Sequence, residues 1–372
     1  KPTIFDTDIY MFQNEYRQEN KKSSFITDIG FTKGYSSSIQ DNKKNNLGHF
    51  FSKFDIDLGL TSFIKSKIEI SIEKISLDTY LKIFDANLTD IDPLIKPENQ
   101  DKLVSSMILE LDNDNYSMDM GMTSYETLSG TSSDRYQFIL PYYNYSKSID
   151  LKNIGALEFS SNGSNNLIET NNLESNIINN INYKIIDQIS NKYGFKNNFS
   201  IYLKNLNTLA KNNSKYKSSP QVELMNIFEM NSSLPLGKDD AISEHLIEPK
   251  ISFRINPGDM KNYKSTKRII NTDNIFDINR LGLSDSFEAG KSLTMGINYK
   301  KTNLEDINKY FEAKISTVYR DKKENFIPQS STLNNKSSNI FGSITYNKSE
   351  NFKLDYDFIM DNDLDKFNLN SV

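Results

Sequence analysis

Apolar and polar residues alternate with a period of two at many points along this chain, a spacing that places the apolar side chains of a run on one face of an extended strand. Phe54, Ile56, Leu58 and Leu60 alternate with Lys53, Asp55, Asp57 and Gly59. Ile68, Ile70 and Ile72 alternate with Glu69, Ser71 and Glu73, and Tyr116, Met118, Met120 and Met122 with Ser117, Asp119, Gly121 and Thr123. The spacing returns at 199–203, 251–255, 293–299 and 311–315, and again at Phe352, Leu354, Tyr356 and Phe358 against Lys353, Asp355 and Asp357. Between the runs, stretches rich in Ser, Asn, Lys and Gly (36–46, 162–166, 211–219, 258–267 and 329–338) read as turns and loops. The pattern predicts about 14 to 16 strands in an antiparallel meander, with short turns at one end and long loops at the other. Residues 167–189 fit two strands or one helix, because helical spacing there competes with Asn-rich, β-branched content.

Two architectures alternate in this way. In a soluble β-sandwich the polar face meets water; in an outer-membrane barrel the apolar face meets lipid and the polar face lines the lumen. Tyr and Phe fall near predicted strand ends at Tyr10, Phe12, Tyr35, Phe50, Tyr125, Tyr142, Tyr143 and Tyr319. Aromatic girdles of a membrane barrel are placed so, and the high β-propensity of both residues gives the same result. Alternation alone leaves both open.

Composition removes other classes. Hydrophobic residues make up 37% of the 372, mean hydropathy is -0.59, and no run approaches the ~18 apolar residues of a membrane helix, which excludes helical spans. With 20 Tyr and 23 Phe the chain has the aromatic content to fold, in one large all-β domain or a few ordinary ones. The 44 basic and 49 acidic residues are interspersed, net -5, without a basic block for phosphates, so no nucleic-acid partner is expected. Heavy use of Asn, Ile and Lys has the look of an AT-rich genome and lowers the weight of any single Asn. The opening Lys1-Pro2-Thr3-Ile4-Phe5 lacks an initiator Met and signal-peptide features, so the chain is expected to be a piece of a longer protein.

Catalytic chemistry finds little support. The absence of Cys excludes thiolate and disulfide chemistry. His49 and His245 are the only histidines, each at a predicted strand start, where ordinary polar roles outweigh a metal pair or a base. Asp239 and Asp240 are adjacent carboxylates in a loop, a solvated pair rather than acid/base machinery. Gly290-Lys291-Ser292 ends like a phosphate-binding loop, but the earlier glycine is replaced by Asp285. No catalytic, metal or cofactor-binding residue is assigned, and no cofactor is expected.

Several stretches resemble the LptD family of LPS-assembly outer-membrane proteins, also called organic solvent tolerance proteins. Pro2-Thr3 followed by Gln13-Asn14-Glu15-Tyr16-Arg17-Gln18 is similar to the family's early hairpin, with Pro and Thr in reversed order. Residues 75–84, with Ser76, Asp78, Thr79, Tyr80 and Leu81, are similar to its Ser-Asp-x-x-Tyr segment, and Arg135 to Pro141 to its Tyr-x-x-Leu-Pro strand. Leu246, Glu248 and Pro249 resemble its Leu-Glu-Pro strand opening. Asp273, Asn274, Phe276, Arg280, Gly282 and Asp285 follow the order of its loop motif, although Ser286 stands where the family has Arg; Glu288-Ala289-Gly290-Lys291 then leads into the strand 293–299.

The resemblance implies an all-β fold: a large antiparallel transmembrane β-barrel of the outer-membrane type, incomplete in this fragment. Residues 1–372 would form the barrel domain without the N-terminal periplasmic domain, the first strand and the last strands, leaving unpaired strand edges. Function would be assembly of lipopolysaccharide into the outer leaflet of the cell outer membrane through a lateral opening. The implied partners are lipopolysaccharide, a lumen-plugging lipoprotein of the LptE type, a periplasmic LPS-bridge protein and outer-membrane lipid. Period two assigns Lys53, Asp55, Asp57, Glu69, Glu73, Asp119, Lys353, Asp355 and Asp357 to the lumen, and Phe54, Ile56, Leu58, Ile70, Met118, Met120, Leu354 and Tyr356 to lipid; a one-residue slip inverts every assignment. The 273–285 segment is either an ordered loop shaping the lumen or a surface turn with a local Arg280 salt bridge. A porin or other transporter, and a soluble or secreted carbohydrate-binding β protein, are the alternatives.

Overall fold

The computed structural model describes residues 2–6, 9–34, 46–88, 94–130, 134–190, 192–349 and 351–371. Tyr35 and nearly all of the loop expected at 36–46 lie outside the described residues. The chain divides into two compact units, 1–148 with 159–179 and 206–223, and 149–158 with 180–205 and 224–372.

The first unit is built on β1 (Pro2–Asp6), β2 (Ile9–Asn20), β3 (Ser23–Lys33), β4 (Asn46–Asp57), β5 (Lys65–Ile75), β6 (Lys102–Asn113), β7 (Tyr116–Thr127) and most of β8 (Tyr136–Asp150), with a short helix α1 (Tyr80–Phe84) between β5 and β6. Consecutive strands pair antiparallel from β1 through β8. Next come β9 (Gly155–Ile168), β10 (Asn172–Ile185), β11 (Gln188–Ile189), β12 (Lys196–Lys211) and β13 (Gln221–Ser233), whose residues are divided between the units. The second unit is completed by β14 (Leu236–Asp239), β15 (Ser243–Asn256), β16 (Gly290–Asn303), β17 (Tyr310–Arg320), β18 (Ile340–Ser349), β19 (Phe352–Met360) and β20 (Phe367–Ser371). Here too β15 through β20 pair antiparallel in sequence order.

Twenty strands among the described residues exceed the expected number partly because Leu234-Pro235 interrupts one line: β13 pairs with 250–255 and β14 with 244–247 of the same partner. Proline has no N–H for the ladder, so pairing breaks there and resumes beyond it. Residues 167–189 are strands, not a helix. Glu169 and Thr170 both take positive φ (53° and 58°), the geometry of a tight hairpin turn, between β9 and β10. Likewise β4 ends at Asp57 instead of running to Leu60. The Asp57 carboxylate accepts the Gly59 N–H at 2.8 Å and Gly59 turns at φ 59°, so Leu58 and Leu60 belong to the turn. Short and long connections alternate over much of each unit: 21–22, 58–64 and 114–115 against 76–101 in the first, and 240–242 and 304–309 against 257–289 and 321–339 in the second.

The ladders fix which side chains share a face. In the first unit, Arg17, Ile26, Lys53, Ser71, Ser106 and Thr123 form one row across six strands, and Asp57, Lys67, Glu110, Asp119 and Asn144 another on the same face. In the second, Glu229, Arg254, Ser292 and Arg320 form a row, as do Glu248, Asn298, Lys314, Ser343 and Asp357. Long connections fold onto this face in both units. Leu47 and Phe51 lie under Tyr80, Leu81, Phe84 and Leu88 in the first, and Val318 and Phe341 lie under Ile270, Ile275, Leu281, Ile327 and Leu333 in the second. The opposite face is apolar and uncovered: Phe12 is 59% exposed, Met122 51%, Ile297 51% and Phe253 40%, whereas Arg280 on the covered side is at 0%.

Two of the aromatic residues expected in girdles lie elsewhere. Tyr125 pairs with Gln137 and Tyr142 with Gly121, which puts both on the covered face, and the register shifts between Gly121 and Thr123. That shift breaks strict period two. Tyr10, Phe12, Phe50, Tyr143 and Tyr319 do lie on the open face.

Candidate functional site

On the covered face of the first unit, a polar chain runs beneath α1. Gln13 of β2 donates to Asp28 of β3 at 2.6 Å, His49 Nε2 of β4 is 3.4 Å from the other Asp28 oxygen, and His49 Nδ1 is 2.8 Å from the Tyr80 hydroxyl. All four residues are buried. The His49 ring stacks on Phe51 at 4.5 Å and lies over Gly30, where an added Cβ would come within 2.2 Å of the ring. Gly30 therefore makes room for the imidazole. Burial pushes the Tyr80 phenol up to about 12, so it stays neutral. Arg135 anchors the approach to α1 by reaching Asp78 at 2.7 Å and Glu126 at 2.6 Å.

The second unit carries a denser assembly under the 257–289 connection. Arg280 donates to both oxygens of Glu288, at 2.6 and 2.7 Å, and to Thr294 and Ser292 of β16 at 2.8 and 3.0 Å. Arg254 of β15 reaches Glu288 at 3.3 Å and Glu229 of β13 at 3.2 Å, and Arg320 of β17 pairs with Glu288 as well. Burial alone would raise the Glu288 carboxyl, but the guanidiniums of Arg280, Arg254 and Arg320 outweigh it and hold the group at about 2. Three cations around one anion make sense only where charges are sealed from water and need partners. Lys204 of β12 adds a tie to the Ser284 carbonyl at 2.7 Å.

Each motif residue has a place. Asn274 accepts the Asn271 N–H at 3.0 Å and donates to Ile269, closing its turn. Gly282 sits at φ 67°, a conformation that favours glycine. Asp285 is buried and bonds to the Tyr263 hydroxyl, with Lys261 at 3.4 Å. Phe276 packs over Gly296, and Asp273 reaches Lys314 at 3.1 Å. These last two overhang a groove of about 490 Å³ whose floor carries Lys196, Glu248, Lys250, Asn298 and Glu312. Arg280 is fully buried, so the surface-turn alternative for 273–285 does not hold: the segment is an ordered insert on the covered face.

The nine candidate residues on strands also share the covered face, in two groups. Asp55 is 3.1 Å from Lys67, which also pairs with Glu69; Glu73 accepts the Val104 N–H at 2.6 Å, and Asp119 accepts from Asn144 at 2.9 Å. Lys53 is exposed, and Asp57 caps its turn. In the second unit Lys353 pairs with Asp355 at 2.8 Å, while Asp357 lies exposed beside Ser343. None of the nine enters the buried networks. The residues that do, Gln13, Asp28, Glu229, Arg254 and Arg320, are separated by 15 to 34 positions from their partners in the chain and become neighbours only through strand register. Glu288 and Tyr80 were within recognised motifs, and His49 reads from sequence as an ordinary polar residue. His245 keeps that ordinary role, between Asp240 and Tyr299.

Compared with models of known families, residues 64–372 match LptD, described as LPS transport system D. The match takes in the 75–84, 135–141 and 245–299 stretches and leaves the early-hairpin likeness at 2–18 outside. No curated protein matches the chain. The antiparallel strands, the uncovered apolar face and the motif insert all accord with a match over most of the length: the chain belongs to the LptD family and is a β-barrel component of LPS transport at the outer membrane.

Proposed function

We propose that this chain forms wall and lids of the conduit through which lipopolysaccharide reaches the outer leaflet, with its covered face lining the lumen and its open face against lipid. The observation that carries this is the inverted distribution of polarity: Arg280, Glu288 and Arg254 are sealed while Phe12, Met122, Phe253 and Ile297 are exposed. A soluble sandwich places its residues the other way round, and a membrane barrel demands this one. The α1 region and the 257–289 insert act as lids over the lumen, and the saccharide of the substrate passes along the polar groove under Asp273 and Phe276. Lys53, Asp55, Asp57, Glu69, Glu73 and Asp119 are assigned to the lumen side of the first unit, and Lys353, Asp355 and Asp357 to the lumen side of the second. A lateral opening between the barrel's first and last strands, a lumen-plugging lipoprotein and a periplasmic LPS bridge complete the device. Residues 1–372 are all read as barrel, and transport needs no bond made or broken.

The test is single cysteines at Ile251, Ser252, Phe253 and Arg254 in the full-length protein in outer-membrane vesicles, with aqueous and lipid-soluble thiol reagents. Positions 251 and 253 are expected to react only with the lipid-soluble reagent, and depletion of the protein to remove surface lipopolysaccharide. Equal access of water to 251 and 253 sinks the face assignment, and intact surface lipopolysaccharide after depletion sinks the transport role.

A further inference from the structure

On the tight-turn side, the open face of the second unit ends in a basic row that neither the loop assembly nor the groove uses. Lys238 of β14 pairs with His245 of β15, which pairs with Lys301 of β16. Period two places all three on the face of Ile247, Ile251, Phe253 and Tyr299. Both lysines are exposed. The adjacent row is apolar: Leu236, Ile247 and Tyr299 pair across the same strands, with Leu236 53% and Ile247 46% exposed. Sideways, the basic row continues into Phe311 and Tyr346.

His245 is held at the centre. Asp240 accepts the Ile242 and Ser243 amides at 2.8 and 2.7 Å, and its second oxygen lies 3.0 Å from His245 Nε2; His245 Nδ1 is 2.9 Å from the Tyr299 hydroxyl. The Asp240 carboxylate is thus turned to His245 and backbone amides, not to either lysine. Strand spacing sets the two lysine backbones about 10 Å apart, and their flexible stems let both ammonium groups converge on one anion above the apolar row.

We propose that Lys238 and Lys301, on either side of His245, hold the phosphodiester of a glycerophospholipid whose acyl chains lie along Leu236, Ile247 and Tyr299. Charge and apolar surface meet here in the order that a headgroup and its tails present them, and tight turns of outer-membrane barrels face the phospholipid leaflet. The inference rests on the reading that the open face meets lipid.

The experiment uses full-length protein in detergent, with retained phosphatidylglycerol and phosphatidylethanolamine measured by native mass spectrometry. The double variant K238Q/K301Q is expected to bind about thirty-fold more weakly, the equivalent of ~1 kcal/mol per lysine. The variant K264Q/K267Q, which removes equal charge from the 257–289 insert, is expected to change nothing. Unchanged retention in K238Q/K301Q, or equal loss in both variants, overturns the site. Competition by free glycerol phosphate as strong as that by lipid overturns it too, since the anion would then be a soluble one. A lipid-soluble label at Ile297→Cys separates the two levels: labelling with unchanged retention defeats this site alone, and absence of labelling defeats the lipid-facing assignment beneath it.

Discussion

Replacing Glu288 by Gln keeps the shape of the side chain and removes the charge that three arginines share. Its carboxyl lies at about 2 against an ordinary 4.5, and at 1.36 kcal/mol per pH unit that difference corresponds to ~3 kcal/mol favouring the closed insert at neutral pH. The ~3–5 kcal/mol cost of breaking a buried ion pair by removing one partner points to the same size. Because the folded value is depressed, this contribution is present above about 4.5 and is lost as pH falls through about 2. Amide hydrogen exchange across 275–288 reads it, since Ile275, Arg280 and Gly282 donate the backbone bonds of the insert's own turns and Arg280 is sealed against the sheet. E288Q is expected to speed exchange there on the order of a hundredfold, leaving β2 to β5 unchanged. Wild-type protein should keep its protection down to about pH 5 and lose it below. Adding Arg280→Met removes one stranded cation and is expected to restore about half of the lost protection. Wild-type exchange in E288Q, or a uniform rise over both units, would refute the reasoning.

Three other outcomes follow from local geometry. Gly30→Ala drives a methyl into the His49 ring, and overpacking of this kind costs about 1–3 kcal/mol, to be seen as faster proteolysis near α1. Tyr80→Phe leaves His49 Nδ1 without its hydroxyl partner and should loosen the same segment by ~1–3 kcal/mol. In wild type, the raised Tyr80 value means closure of α1 persists below the ordinary phenol pH of about 10 and weakens as pH rises towards about 12, a loss that Tyr80→Phe abolishes in high-pH proteolysis. Gly282→Ala places a Cβ at φ 67°, expected to cost ~1–2 kcal/mol of insert docking in the exchange assay, with the strands unaffected.

Period-two alternation survives translation into structure because a strand has only two faces. Lys53, Asp55 and Asp57 fall on one face and Phe54 and Ile56 on the other, as spacing requires. It fails where the backbone leaves the strand, as at Leu58 and Leu60, or shifts register, as at Tyr142. The motif loop was legible as a segment, but its mode of burial was not: Arg280 looks like any loop arginine until Arg254, 26 positions earlier, and Arg320, 40 positions later, arrive beside the same carboxylate. Pairings at such separations depend on register across three strands, which composition does not encode. His49 was missed for the same reason, since Asp28 and Tyr80 lie 21 and 31 positions away.

Glu288 binds Arg254 on β15 and Arg320 on β17, two strands that are not ladder neighbours because β16 lies between them. A ladder ties each strand only to its immediate neighbours, whereas an ionic link that skips a strand couples β15 directly to β17. Strands β15 to β17 should therefore behave as a stiff panel of the wall while the insert is docked. Any breathing of this unit has to bend at the borders of that panel, which gives the proposed lid a second role as a brace.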